Sequence, residues 1–115
     1  MVIMKVLWTK FAINSLHDIF TYYKENVSIR IAQNIKQTIL SCTRQLVKHP
    51  LSGSIETSLT DLKEEHRYVI RGNYKIIYKI QHKNVFITDI FDTRQDPEKI
   101  IRSNESDLTL NEPNE

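Results

Sequence analysis

The sequence predicts an α+β domain in which a helical hairpin packs on a small, largely antiparallel sheet, in the order β-α-α-β-β-β. Two observations support this fold class. Residues 13–48 place apolar side chains at three- and four-residue intervals in two blocks, which is typical of amphipathic helices. Residues 67–91 instead contain three runs rich in Tyr, Val, Ile and Phe that are separated by two tight turns, which is typical of antiparallel strands.

The first strand and the first helix are predicted near the N-terminus. Val2 to Trp8 (VIMKVLW) should form a strand, and Thr9 to Ala12 a short link. Ser15, followed three residues later by Asp18, resembles a capping box in which Asp replaces the usual Glu or Gln. The helix is expected to end near Asn26. Its apolar stripe comprises Ile13, Leu16, Ile19, Phe20, Tyr23 and Val27.

A second helix is expected from Ser28, a favourable N-cap residue, to about Lys48. It should stop before His49-Pro50, because a residue that precedes proline disfavours the α region. The link between the helices is so short that they must form an antiparallel hairpin. Cys42 is the only cysteine, so it cannot form an internal disulfide. It lies on the apolar stripe of this helix, and we expect a buried apolar residue rather than a nucleophile.

The remaining strands follow an irregular stretch, residues 51–65, in which a short helical turn is expected over Leu59 to Leu62. The three strands and their turns are predicted as Arg67–Arg71, Gly72-Asn73, Tyr74–Gln81, His82-Lys83-Asn84 and Val85–Phe91. Glycine supplies the positive φ that a tight hairpin turn requires. The sheet is therefore expected to be built mainly from consecutive hairpins.

Alternation along these strands predicts one apolar face and one basic face. The apolar face is expected to carry Tyr68, Ile70, Tyr74, Ile76, Tyr78 and Ile80. The basic face is expected to carry Arg67, Arg71, Lys75 and Lys79. Two interpretations fit this pattern: an ordinary sheet with one solvated face, or a basic surface for an acidic partner or a nucleic acid.

Length and charge indicate a single domain with a short tail. The chain has 115 residues and a net charge of +2. Residues 103–115 hold four acidic residues and no Lys or Arg, so residues 1–102 hold 16 basic and 10 acidic residues, a net charge of +6. We expect a basic domain over residues 1–102 and an acidic, flexible tail over residues 103–115. In a second interpretation the tail folds back on the basic face. The apolar runs are too short to cross a bilayer, and the N-terminus lacks signal-peptide features.

The residues predict neither a metal site nor a cofactor. The four histidines are spread along the chain without metal-ligand spacing, and no nucleophile elbow or Gly-rich phosphate loop is present. Arg94 comes directly after the third strand of this region, where a guanidinium is well placed to hold a phosphate or a carboxylate. The close acidic residues Asp89 and Asp92 are interpreted as solvated charges or as partners of nearby Lys and Arg.

An ordered set of motifs runs from about residue 3 to residue 101. Its early members are Trp8, Ala12, Leu16, Tyr23, Ser28, Ala32, Ile39, Leu46, His49-Pro50 and Gly53. Its most specific members are Arg67-Tyr68, Tyr74-Lys75-Ile76-Ile77-Tyr78, Val85-Phe86-Ile87 and Phe91-Asp92-Thr93-Arg94-Gln95-Asp96-Pro97. This set resembles the RelE/ParE superfamily, the toxins of bacterial type II toxin–antitoxin systems, which include plasmid stabilisation proteins. The resemblance implies a cytoplasmic bacterial toxin.

The resemblance implies one of two activities. Members that resemble RelE cut messenger RNA on the ribosome, and for such a ribonuclease the matching residues here are Arg67, Lys75 and Arg94. Ile100 stands six residues after Arg94, where that branch commonly has a tyrosine, and Val69 replaces a second lysine, so the ribonuclease set is incomplete. Members that resemble ParE lack this set and inhibit DNA gyrase. The FDTRQDPEK sequence and the long helical hairpin favour this branch, with a non-toxic, antitoxin-binding member as a further alternative.

The resemblance also implies a protein partner, a cognate antitoxin whose C-terminal segment wraps around the hairpin and the sheet to give a hetero-oligomer. The net charge of +6 over residues 1–102 favours an acidic antitoxin, and an exposed sheet edge could accept an added strand. The residues expected to contact the antitoxin or the target are Arg67, Arg71, Lys75, Lys79 and Arg94.

Overall fold

The structure, a computed structural model, describes residues 5–59, 65–94 and 109–111. It contains two helices, α1 (Lys10–Asn26) and α2 (Ile29–Gln45), and a 3-10 helix at Thr57–Leu59. The strands are β1 (Val6–Thr9), β2 (Ser54–Ile55), β3 (His66–Arg71), β4 (Tyr74–Gln81), β5 (Asn84–Asp92) and β6 (Thr109–Asn111). The predicted α+β class and the order β-α-α-β-β-β are confirmed, with the short strands β2 and β6 added at the edges of the sheet.

The six strands of the described residues belong to one sheet, in the order β2-β3-β4-β5-β1-β6. The β1–β5 pair is parallel, and the other pairs are antiparallel. The helical hairpin packs on one face, where the main core forms. Its fully buried members include Trp8, Ala12, Ile39, Ile76, Tyr78 and Ile87. The second core is smaller: the 3-10 helix brings Leu59 against Ile77 and Phe91.

Helix α1 begins earlier than the sequence predicts, because Thr9 and not Ser15 is its N-cap. The Thr9 hydroxyl accepts a hydrogen bond from the Ala12 amide at 3.1 Å and donates one to the Thr88 carbonyl at 3.3 Å. The link predicted over residues 9–12 is therefore the cap and first turn of the helix. Ser15 instead lies inside α1 and donates to Asp89 at 3.2 Å.

Helix α2 begins where the sequence predicts and ends earlier than the sequence predicts. The Ser28 hydroxyl accepts from the Ile31 amide at 3.1 Å, which confirms the predicted N-cap. The α-helix ends at Gln45, and the next residues continue through tighter i→i+3 hydrogen bonds as far as Lys48. Cys42 is buried as predicted, and burial raises the pKa of its thiol, so the reactive thiolate is disfavoured.

The two hairpin turns each contain two residues. Gly72 has a φ of +58°, as its turn requires. His82 and Lys83 both adopt positive φ, at 52° and 60°, and Asn84 already belongs to β5, so the second turn is one residue shorter than predicted. Strand β5 also contains a bulge: Ile77 pairs with Asp89 and the next residue of β4 pairs with Ile87, which leaves Thr88 without a partner position.

The predicted tail contributes strand β6, which pairs antiparallel with β1. The other residues of the 103–115 segment lie outside the described residues, as do residues 2–4 of the predicted first strand. The flexibility of the tail therefore stays a prediction.

Candidate functional site

The predicted basic face does not exist as one surface. The two-residue turn makes Arg71 pair with Tyr74, whereas Lys75 pairs with Ile70. Residues that pair directly across antiparallel strands share a face, and Tyr74 belongs to the core under the helices. The odd-numbered residues of β3 therefore lie on the helix side with the even-numbered residues of β4. The predicted basic face comprised Arg67, Arg71, Lys75 and Lys79. The prediction that they share one face of the sheet is therefore wrong.

Lys75 and Lys79 lie on the face of the sheet away from the helices. The Lys75 ammonium is 2.7 Å from a carboxylate oxygen of Glu56, whose side chain is 5% exposed, and 4.4 Å from the centre of the Tyr68 ring. The Lys79 ammonium lies 6.0 Å from the centre of the Phe86 ring. Lys75 thus neutralises a buried carboxylate, which is a structural task in this fold.

Arg67 lies on the other side of the sheet, opposite Tyr78. Its guanidinium donates to the Gly53 carbonyl at 2.8 Å and is 3.0 Å from the Glu65 carboxylate. Arg71 donates to a neighbouring backbone carbonyl at 2.8 Å and is exposed. Arg67 therefore fastens the segment before β2 to the edge of the sheet.

Arg94 forms a planar ion pair with Asp92 at the end of β5. Its Nε and Nη2 atoms donate to the two carboxylate oxygens at 2.9 and 2.7 Å, and its side chain is 58% exposed. These hydrogen bonds hold the pKa of Asp92 below its usual range. The Tyr74 hydroxyl donates to the Tyr23 hydroxyl nearby at 3.3 Å, and burial together with this bond raises the pKa of Tyr74, so Tyr74 stays neutral at physiological pH.

An open cleft of about 680 Å³ lies between α1 and the ends of β4 and β5. Strand β1 pairs with β5 only as far as Ile87, and α1, which begins where β1 ends, runs beside the rest of β5. The lining residues on α1 include Phe11, Ser15, Asp18 and Tyr22, and those on the strands and the following turn include Tyr74, Asp89, Phe91, Asp92 and Arg94. Of the five predicted cations, only Arg94 lines this cleft.

The two acidic residues interpreted from the sequence, Asp89 and Asp92, have different surroundings in the structure. Asp92 is the predicted partner of a nearby cation, Arg94. Asp89 is not solvated: it is 3% exposed and accepts the hydrogen bond from Ser15. The sequence does contain a signal for this cleft, because Phe11, Ser15, Asp18 and Tyr22 recur at intervals of four, three and four residues, which places them on one stripe of α1 beside the core stripe.

The sequence predicts that an exposed edge of the sheet could bind an added strand. The structure identifies the strands at the two edges of the described sheet. One edge is β2, which has two residues. The other edge of the described sheet is β6, supplied by this chain's own C-terminal segment, which covers β1. An added strand at β1 would therefore meet a position that this chain already fills.

Other kinds of site find no support in the described part of the chain. No group of three or more His, Cys, Asp or Glu side chains there could hold a metal ion. Neither described helix is long and apolar enough to span a membrane. The cleft and the cations are the features that remain.

Comparisons with protein families and with solved structures each gave a match. The family model described as "ParE toxin of type II toxin-antitoxin system, parDE" matches residues 6–97. A solved structure of the chromosomal ParDE TA system from P. aeruginosa superposes with a TM-score of 0.64 at 17% sequence identity, covering 79% of this chain and 96% of that chain. At this identity the structural match shows the fold alone. No curated protein sequence matches the chain.

Proposed function

Since the chain belongs to the ParE toxin family of type II toxin–antitoxin systems, we propose that it inhibits DNA gyrase and that a cognate antitoxin neutralises it. The family match over residues 6–97 carries this proposal, because it takes in both helices and strands β1–β5. Both proposed partners are cytoplasmic proteins of bacteria. The toxin would therefore act in the cytoplasm and be stored there as a hetero-oligomer with its antitoxin.

The positions of the cations favour an inhibitor over a ribonuclease. RNA cleavage would need Arg67, Lys75 and Arg94 to act on one phosphate, beside a residue that transfers a proton. Arg67 and Lys75 lie on opposite faces of the sheet, and each of the three cations is held by a carboxylate. The sequence offers Ile100, which cannot transfer a proton, six residues after Arg94.

The target is tested by expressing the chain from an inducible promoter without its antitoxin. Incorporation of labelled thymidine and labelled methionine is then followed in parallel. We expect DNA synthesis to fall first, together with a DNA-damage response, and purified protein to inhibit supercoiling by gyrase. A fall in protein synthesis within minutes, abolished by Arg94→Ala, would instead establish the ribonuclease. Unchanged synthesis of both would leave antitoxin binding as the function.

The antitoxin is sought among small proteins encoded directly beside this chain, and the candidate is tested by co-expression. We expect the two proteins to co-purify and growth to recover. The matched control is the same neighbour protein expressed with an unrelated toxin, which it should not neutralise. Failure to co-purify would contradict the proposed pair, whatever the target proves to be.

A further inference from the structure

On the α1 side of the cleft, three large apolar side chains are exposed to solvent. Phe11, Tyr22 and Val27 are 41%, 59% and 60% exposed. Single exposed apolar residues are common on protein surfaces. These three, however, line one concave surface together with Tyr74 and Phe91. A concave apolar surface with a few polar groups is typical of a binding site.

The cleft holds one exposed acidic group, Asp18. The other charged groups of its described lining differ, because Asp92 and Arg94 pair with each other and Asp89 is buried. Asp18 is exposed and makes no ion pair with the described residues. Residues 1–102 as a whole carry a net charge of +6. The Asp18 carboxylate is therefore an exposed negative group in a basic domain, and the apolar walls of the cleft strengthen its local field.

The length of the cleft limits what can fill it. Phe11 and Tyr22 are eleven residues apart on α1, about 16 Å at 1.5 Å per residue. A segment of about three helical turns, or about five extended residues, spans that distance. An acidic segment of this length would bring its carboxylates beside Asp18, which is unfavourable. A basic residue would meet Asp18 between Phe11 and Tyr22.

We propose that this cleft receives a segment of the antitoxin in which apolar side chains flank a lysine or arginine. The apolar side chains pack on Phe11 and Tyr22, and the cation lies against Asp18. This inference rests on the proposed function, because it identifies the chemistry of one part of the antitoxin which that function requires. Net charge favours an acidic antitoxin, and this segment would be a basic exception within it.

The first test measures, by isothermal titration calorimetry, the affinity of toxin variants for the antitoxin that co-purifies. We expect Tyr22→Ala to weaken binding about tenfold or more and Asp18→Asn about threefold, with the second effect shrinking at high salt. The control is His82→Lys, which makes the same change of +1 in formal charge in the exposed turn between β4 and β5, outside the helical hairpin and the cleft; it should bind within twofold of wild type. Wild-type affinity in both cleft variants, with normal folding, would overturn the inference while leaving the proposed pair intact.

The second test does not need the antitoxin. A phage-displayed library of random 12-residue peptides is panned on the full chain and depleted on the Asp18→Asn/Tyr22→Ala variant. We expect the selected peptides to place Lys or Arg between apolar residues. Peptides without enrichment in Lys or Arg would overturn the inference. If the neighbouring protein fails to bind, the proposed function fails, yet these peptides still decide the chemistry of the cleft.

Discussion

Replacing Gly53 by alanine should destabilise the fold by about 2–4 kcal/mol, because no space exists for a Cβ atom there. That atom would lie 2.6 Å from the Tyr78 hydroxyl oxygen and 2.7 Å from the Tyr68 carbonyl oxygen. The carbonyl is part of β3, and Tyr78 is fully buried and donates to the Pro50 carbonyl at 2.7 Å, so neither can move freely. Overpacking of this kind costs about 1–3 kcal/mol. Loss of the 3.0 Å bond from the Gly53 amide to the Tyr78 hydroxyl adds about 1 kcal/mol.

The measurement is urea and thermal unfolding followed by the fluorescence of Trp8, the only tryptophan and fully buried. We expect the melting temperature to fall by roughly 10 °C. Gly72→Ala is the matched control: its Cβ has no neighbour within 4 Å, but its φ of +58° is strained for alanine, at about 1 kcal/mol. If Gly53→Ala proves no more destabilising than Gly72→Ala, the close approach of Gly53 to the tyrosine does not restrict this position and the reasoning is refuted.

Three further changes test other parts of the fold by unfolding experiments. Tyr78→Phe removes the hydroxyl that binds the Pro50 carbonyl and should cost about 1–3 kcal/mol; an unchanged urea midpoint would contradict this bond. Ser28→Ala removes the N-cap of α2 and should cost about 1 kcal/mol, whereas Ser28→Asp should retain most of the stability. The lowered pKa of Asp92 means that its carboxylate stabilises the folded state above its unfolded pKa of about 4, and that this contribution is lost as the pH falls through the folded-state pKa. Asp92→Asn should therefore lose less than about 1 kcal/mol at pH 7, since the pair with Arg94 is solvated, and should match wild type at strongly acidic pH.

Local patterns predicted the second helix and the hairpins well. Ser28 caps α2, and Tyr74–Gln81 forms β4 with the predicted bounds. The start of α1 is not predicted correctly because the apolar periodicity begins only inside the helix. Strand β1 leads directly into α1 without a loop, so the N-cap is Thr9, the last residue of the strand. Thr9 also binds the Thr88 carbonyl, a contact between residues 79 positions apart that no local pattern contains.

The side of the sheet on which each cation lies can be predicted in part from the sequence. A two-residue turn places Arg71 opposite Tyr74, so counting the turn residues would have put Arg71 on the helix side and Lys75 on the other. The bulge at Thr88 was not recoverable in this way, because it depends on how β5 fits β4 on one side and β1 on the other. The pairing of β6 with β1 is likewise not predictable from local sequence, because it joins residues near opposite ends of the chain.

Net charge proved a weak guide to the chemistry of the candidate site. Several of the cations that make residues 1–102 basic are engaged within the fold, as the pairs of Lys75 with Glu56 and of Arg94 with Asp92 illustrate. A net charge still acts at long range, where it raises the rate at which an acidic partner arrives. At contact distance the partner meets local groups, and in the cleft these are apolar side chains around Asp18. A partner can satisfy both requirements if an acidic chain carries one apolar and basic segment. Raising the salt concentration should then slow association with wild type and with Asp18→Asn alike, while the difference in dissociation rate between them reports the cleft alone.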